Sequence, residues 1–271
     1  MAYYQQYTYT NTNQYLLDLE AFANTNGWTI DLSAAYNTSY WRLHLHKGSA
    51  HFDLYSTAGE VYMYHCTGFA SGSSPSTQPG AGGTNGVWFT LSTSISYWFV
   101  STVGGLYMAY LTATTSAFNW GCFFIVQDKI GAYAGGFGGI VPSADYNLFS
   151  DDTASPYRNQ IYINGSWGVY GGAGAMVGSI VNGSIPTYGP NHYNLGIIPW
   201  PVLITIYYAA DITKRVPVGF APGLYQTNGG DVYNIGDEII IGADTYLIMP
   251  GTGKSIIGDT ARGDYLFKLG A

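Results

Sequence analysis

The chain has 271 residues, a formal net charge of −7 and only 9% charged residues, against 47% hydrophobic residues, 26 Tyr and 37 Gly. Ordinary soluble domains carry roughly 25% charge, so this surface is poorly supplied with ionic groups, and Lys and Arg are too sparse to line a nucleic-acid backbone. The length supports one large or two modest domains with real cores; two cysteines, Cys66 and Cys122, are too few for a disulfide framework and read first as buried thiols, with one bridge between them as the other option.

The opening MAYYQQYTYTNTNQ has neither a basic nor an apolar leader region, so no secretory signal is expected. Residues 13–26 predict the one helix: Leu16, Leu19 and Phe22, with Tyr15 beside them, form an apolar stripe. Asn11, Thr12 or Asn13 is placed to cap its start, and Gly27 stands where a left-handed C-cap belongs. The period then changes to two. Trp41, Leu43 and Leu45 alternate with Arg42, His44 and His46, Gly48 allows a turn, and strands follow at 51–55 and 61–66. Residues 68–86 are Gly, Ser and Pro in low complexity, which predicts a flexible loop or linker between an N-terminal unit (1–67) and a main β-rich region (87–271) that can join it in one domain.

From Ser96 to Val126 the chain is aromatic and β-branched, and no ionisable group but Tyr and Cys precedes Asp128. Recurrent Ser and Thr, and a turn at Gly104-Gly105, argue against a membrane span, which needs about 20 unbroken apolar residues, and for two or three buried strands. Glycine-rich tracts at 131–139 and 165–183 permit close backbone approach if neighbouring sheets or subunits clamp them. Pro199-Trp200-Pro201 leads into a strand reading VLITIYYAADI, Gly242-Ala243-Asp244 splits a hairpin, and 264–269 adds a last strand. Asn164-Gly165 and Asn182-Gly183 read as turns. The fold class is mainly β, a sandwich or barrel-like sheets, with one short N-terminal helix packed on a sheet.

Three blocks in this order resemble a family of tailed-bacteriophage virion structural proteins: the helix ending in Asn26-Gly27-Trp28; the run from Tyr97-Trp98-Phe99-Val100 through Trp120-Gly121-Cys122-Phe123-Phe124; and Gly236-Asp237 to Tyr246-Leu247-Ile248 with Tyr265-Leu266-Phe267. Gly104-Gly105 departs from it, standing where a basic pair is usual. The resemblance implies a structural subunit of the tail, neck or baseplate, assembled in rings with itself and other virion proteins, with no catalytic residue and no cofactor. Tyr-rich composition fits such a role, since aromatic residues are enriched at protein contacts. The contact residues expected are Tyr3, Tyr4, Tyr7 and Tyr9, on a polar segment without a core of its own.

The alternative is a carbohydrate-binding module at a fibre or tail tip, with Trp88, Trp167 and Trp200, each close to Gly or Pro, as the sugar contacts. Other motifs carry less. Pro250-Gly-Thr-Gly-Lys-Ser255 lacks the first glycine of a phosphate-binding loop, because Ile248 stands there. Arg262-Gly263-Asp264 is a short triplet with a turn as its simplest account, and Asp151-Asp152 and Asp237-Glu238 show no catalytic spacing. His44 and His46 share one strand face, with His51 and His65 nearby in sequence; two histidines need a third ligand and a supporting shell to hold a metal, so a polar face at a subunit contact is the expectation.

Overall fold

The computed structural model describes residues 4–82, 87–91, 94–113, 118–143, 159–168, 178–179, 199–208, 211–227, 236–250 and 264–269. One helix, α1 (Thr12–Thr25), accompanies three sheets. Asn11 caps α1, its Oδ1 accepting from the Gln14 amide at 2.9 Å, and Gly27, at φ +77°, lets the chain leave the helix. The predicted stripe is the buried one: Tyr15, Leu16, Leu19, Phe22 and Ala23 all face inward.

A five-stranded antiparallel sheet takes β2 (Thr29–Ala35), β3 (Trp41–Lys47), β4 (Ala50–Ser56), β5 (Glu60–Cys66) and β6 (Val87–Thr90) in chain order. The central sheet has seven strands: β1 (Tyr4–Thr8), β7 (Ser94–Ser101), β8 (Gly105–Thr112), β9 (Phe118–Ile125), β10 (Gly135–Ser143), β11 (Asn159–Ile163) and β12 (Ser166–Gly168). The third sheet runs β13 (Gly178–Ser179), β14 (Trp200–Tyr208), β15 (Asp211–Thr227), β18 (Asp264–Lys268), β17 (Asp244–Met249) and β16 (Glu238–Ile241).

The sheets stack in layers, and the central one explains the long apolar stretch. Strand side chains alternate between faces, so a sheet covered on one side reads as alternation and one covered on both reads as a continuous apolar run. Tyr97, Phe99, Leu106, Met108 and Phe123 face α1 and the five-stranded sheet. Trp98, Val100, Tyr107, Trp120, Cys122 and Phe124 face the third sheet, meeting Val202, Leu224, Leu247 and Phe267. The stretch 96–126 is thus three strands, β7 to β9. Among the described residues no helix is long and apolar enough to cross a membrane.

Polar ties reinforce both interfaces. The Tyr97 hydroxyl donates to the Asp18 carboxylate of α1. On the other face, the Tyr107 hydroxyl and Thr102 Oγ1 both donate to the Pro222 carbonyl, at 2.8 and 2.6 Å, and Trp120 Nε1 donates to the Pro250 carbonyl at 2.9 Å. Both cysteines are free and buried.

One sequence expectation changes. VLITIYYAADI is not one strand: β14 and β15 run antiparallel, with Tyr208 opposite Asp211. Residues 68–82 form a loop with internal bonding. The Gln78 side chain is buried and acts as a polar core for the loop, its Oε1 accepting from the Ala70 amide at 2.7 Å and its Nε2 donating to the Ala70 and Ser73 carbonyls, both at 3.1 Å. The 1–67 unit shares its core with the main region, the option the sequence left open, since Phe52 of β4 stacks on Phe123 of β9 at 4.1 Å. The turn at Asn164-Gly165 is as expected, both residues having positive φ (+52° and +85°); Asn182 lies outside the described residues.

The glycines of β10 make close packing feasible. A Cβ on Gly139 would sit 2.3 Å from His65 Nε2, and one on Gly138 would sit 2.0 Å from the Gln160 carbonyl oxygen. His65 is pressed there into a fully buried position, and burial pushes its imidazolium down to about pKa 4 from the ordinary 6.5. Below pH 6.5 the unfolded chain takes up a proton that the folded chain refuses, so this stability is intact above 6.5 and lost progressively as pH falls to about 4. The loss approaches about 3 kcal/mol. His65→Gln should flatten that part of the slope in urea denaturation between about pH 7.5 and pH 4; an unchanged slope would show that His65 is solvated.

Candidate functional site

Alternation on the five-stranded sheet sends Leu43, Leu45, Phe52, Leu54, Val61, Met63 and Phe89 into the core. The residues between them fall on the outer face, where the register aligns them in rows. Arg42, Tyr55, Tyr62 and Trp88 are successive cross-strand partners; His44, Asp53 and Tyr64 form a second row, and His46, His51 and Cys66 a third. This face is aromatic at one end and ionisable at the other.

The aromatic end is a row of rings. Tyr36 lies 5.0 Å from Tyr55, Tyr55 stacks on Tyr62 at 4.8 Å with 7° between planes, and Tyr62 lies 5.7 Å from Trp88. Trp88 is 50% exposed and Tyr36 41% exposed, so both ends of the row are open to solvent. Tyr55 and Tyr62 cover each other's faces and are half-buried. Offset and edge contacts of this kind suit a partner's side chains.

At the ionisable end, Asp53 and His44 are fully buried. Arg42 grips the Asp53 carboxylate with two donors, Nε to Oδ1 at 2.9 Å and an Nη to Oδ2 at 2.7 Å. A carboxylate can only accept, so His44 Nδ1, 3.0 Å from Asp53 Oδ2, carries the proton of that bond. His44 Nε2 lies on the far side of the ring, 3.2 Å from His51 Nδ1 and 3.7 Å from Asp31 Oδ2. The Phe69 ring packs 4.6 Å from that of His44, so the loop after β5 covers this corner.

Asp31 reaches the face through a bulge. Ile30 pairs with Leu45 and Leu32 with His44, leaving Asp31 as the extra residue in β2; such a bulge re-aims a side chain. Its Oδ2 sits 2.7 Å from His46 Nδ1, and the His46 and His51 rings stack at 4.6 Å. One donor atom each from Asp31, His46 and His51 lies within 4.8 Å of the others. Partial burial, then the neighbouring His46 and His44, push His51 down to about pKa 4, with Asp31 pulling the other way. This is the one group of donor atoms with metal-like proximity among the described residues.

Of the tyrosines expected at an interface, those that the structure describes are half-buried beside the central sheet. Tyr3 lies outside the described residues. Tyr4 and Tyr7 belong to β1, which is not an unpartnered arm: it pairs with β7 along the edge of the central sheet, with Tyr7 opposite Tyr97 and stacked on it at 5.2 Å. Tyr4 packs on the core shared with the third sheet, and Tyr7 and Tyr9 on the core shared with α1. The segment is polar in sequence but borrows its core from the strands it joins.

Of the three tryptophans, Trp88 is exposed at the end of the aromatic row. Trp167 packs inward against Phe137, Tyr162 and His65, and its Nε1 donates to the Gly80 carbonyl at 2.6 Å. The Trp200 side chain, residues 251–263 with most of the loop-like motif, Arg262-Gly263 and Asp151-Asp152 lie outside the described residues. The Asp237 backbone carbonyl accepts from the Ile248 amide at 2.9 Å, which continues the pairing of β16 with β17. The aromatic row and Asp31 were the parts missed in sequence. Tyr62 and Trp88 are cross-strand partners that no linear motif announces, and the bulge has no residue signature.

No protein-family model matches the chain, and no curated protein matches it in a sequence comparison.

Proposed function

We propose that the chain is a structural subunit of a tailed-bacteriophage virion, in the tail, neck or baseplate, that works by assembly with copies of itself and with other virion proteins. The observation that carries the reading is the open row Tyr36–Tyr55–Tyr62–Trp88 on the outer face of a sheet whose other face is fully occupied. Its rings are fixed by stacking, so little side-chain freedom is lost when a partner covers them, and the desolvation gain is kept. A chain with 9% charged residues has few ionic groups to hold neighbours apart, and β1 adds an edge strand to the central sheet. The three-block resemblance supplies the virion.

Tyr62→Ser combined with Trp88→Ser is the direct test. Both side chains lie outside the core, so the melting temperature of the chain should hold within a few degrees, while self-association weakens at least about tenfold, as expected for aromatic anchors at a contact. Association unchanged in the double variant would remove this face from the assembly. The glycan-binding reading rests on the half-exposed Trp88 ring; binding of a soluble, monomeric chain to glycans that is lost in Trp88→Ala would establish it instead.

A further inference from the structure

We propose that the ionisable end of this face is a metal site: the clustered donors of Asp31, His46 and His51 take up one divalent transition-metal ion of the zinc type, with His44 Nε2, beside His51 and Asp31, as the fourth ligand. The argument begins with the donor set. Three imidazoles and one carboxylate form a borderline site that suits zinc and its neighbours better than magnesium or calcium, which take oxygen ligands.

Distances follow. Zinc bonds of about 2.0–2.1 Å place tetrahedral ligands about 3.3 Å from one another. Four of the separations fall on both sides of that value: 3.2 Å for His44–His51, 3.7 Å for His44–Asp31, 3.9 Å for His51–Asp31 and 2.7 Å for His46–Asp31. An ion among them would exchange the His46–Asp31 and His44–His51 hydrogen bonds for ligand bonds.

The supporting shell is the independent observation. A metal-bound histidine ordinarily donates its other ring N–H to a carboxylate, which fixes the tautomer and orients the lone pair. His44 does this: Nδ1 is committed to Asp53, Asp53 is held by two Arg42 donors, and the whole relay is buried. The relay costs desolvation of a charged pair and turns the buried Nε2 of His44 toward His51 Nδ1 and Asp31 Oδ2. The β2 bulge that brings Asp31 out of the ladder completes the set from the edge strand. A bound ion would clamp β2 to β3 and β4. With side-chain exposures of 19% for Asp31, 24% for His46 and 15% for His51, the site is reachable from solvent yet largely enclosed. That fits a structural ion more closely than an open catalytic one.

The inference stands apart from the assembly reading, because a single chain contains every ligand. The experiment is titration of the untagged, chelator-treated full chain with zinc chloride by calorimetry, with cobalt(II) as the spectroscopic probe. The expected result is about one zinc per chain, a raised melting temperature, and the visible absorption of cobalt in a tetrahedral nitrogen–oxygen field. Asp31→Asn and His46→Gln change partly exposed residues and should leave the metal-free fold intact; each is expected to weaken zinc binding by at least about tenfold. No saturable zinc binding at about 0.1 mM, or binding of equal strength in both variants, would overturn the proposal. So would a cobalt spectrum that does not respond to either substitution.

Discussion

Asp53→Ala is expected to lower the unfolding free energy by about 3–5 kcal/mol, the range found when one partner of a buried ion pair is removed. The carboxylate is fully buried and accepts three bonds, two from Arg42 and one from His44. Removing it leaves a guanidinium with 9% of its side chain exposed and no counter-charge, and it frees the His44 ring. The pair itself contributes much less than this figure, because bringing both charges out of water offsets most of their attraction. Arg42→Met with Asp53→Leu should therefore recover much of the loss while abolishing the orientation of His44. Urea denaturation of the three proteins decides it: a loss under about 1 kcal/mol for Asp53→Ala would mean that the pair is solvated.

Phe123→Ala is expected to cost a similar amount, about 3–5 kcal/mol, for a different reason. Phe123 is fully buried on β9, stacked on Phe52 at 4.1 Å and 18°, with the Trp28 ring 6.2 Å away. It fills the gap between two sheets that are rigid on either side, so the space left by the ring cannot collapse, and the cavity adds to the lost transfer energy. Ile240→Ala is the control: that side chain is 77% exposed on β16, and its loss should stay within about 0.5 kcal/mol. If the two substitutions cost the same, the central sheet is not the shared core of the molecule.

Much of this architecture could be read from the residues. Periodicity placed α1, its cap region and the strands β3 to β5, because each has one covered face and local pattern suffices. The central sheet was visible as an unbroken apolar run, though the run says only that both faces are covered and not by what. β15 escaped because Pro217 and Pro222 argue against a strand; it tolerates them through register shifts against β14 and gives the Pro222 carbonyl to Tyr107 and Thr102. The order of the loop at 68–82 was not legible, because it rests on the Gln78 side chain satisfying backbone groups and on ties from Trp167 and Gln160 that composition does not reveal.

The outer face was half visible. His44 and His46 fall on one side of a strand by simple alternation, and their bonding partners Asp53 and Asp31 depend on cross-strand register and on a bulge. Tyr4, Tyr7 and Tyr9, on a segment polar in sequence, pack on strands that are distant in the chain, a contact local pattern does not reveal.

The central claim is that this molecule acts by assembling, and the mass distribution of the purified chain tests it most directly. Light scattering coupled to size exclusion, across a range of concentrations, is expected to show a discrete oligomer of ring-like stoichiometry that dissociates on dilution. A monomer at every concentration, well behaved and uncovered at Tyr36, Tyr62 and Trp88, would contradict the account.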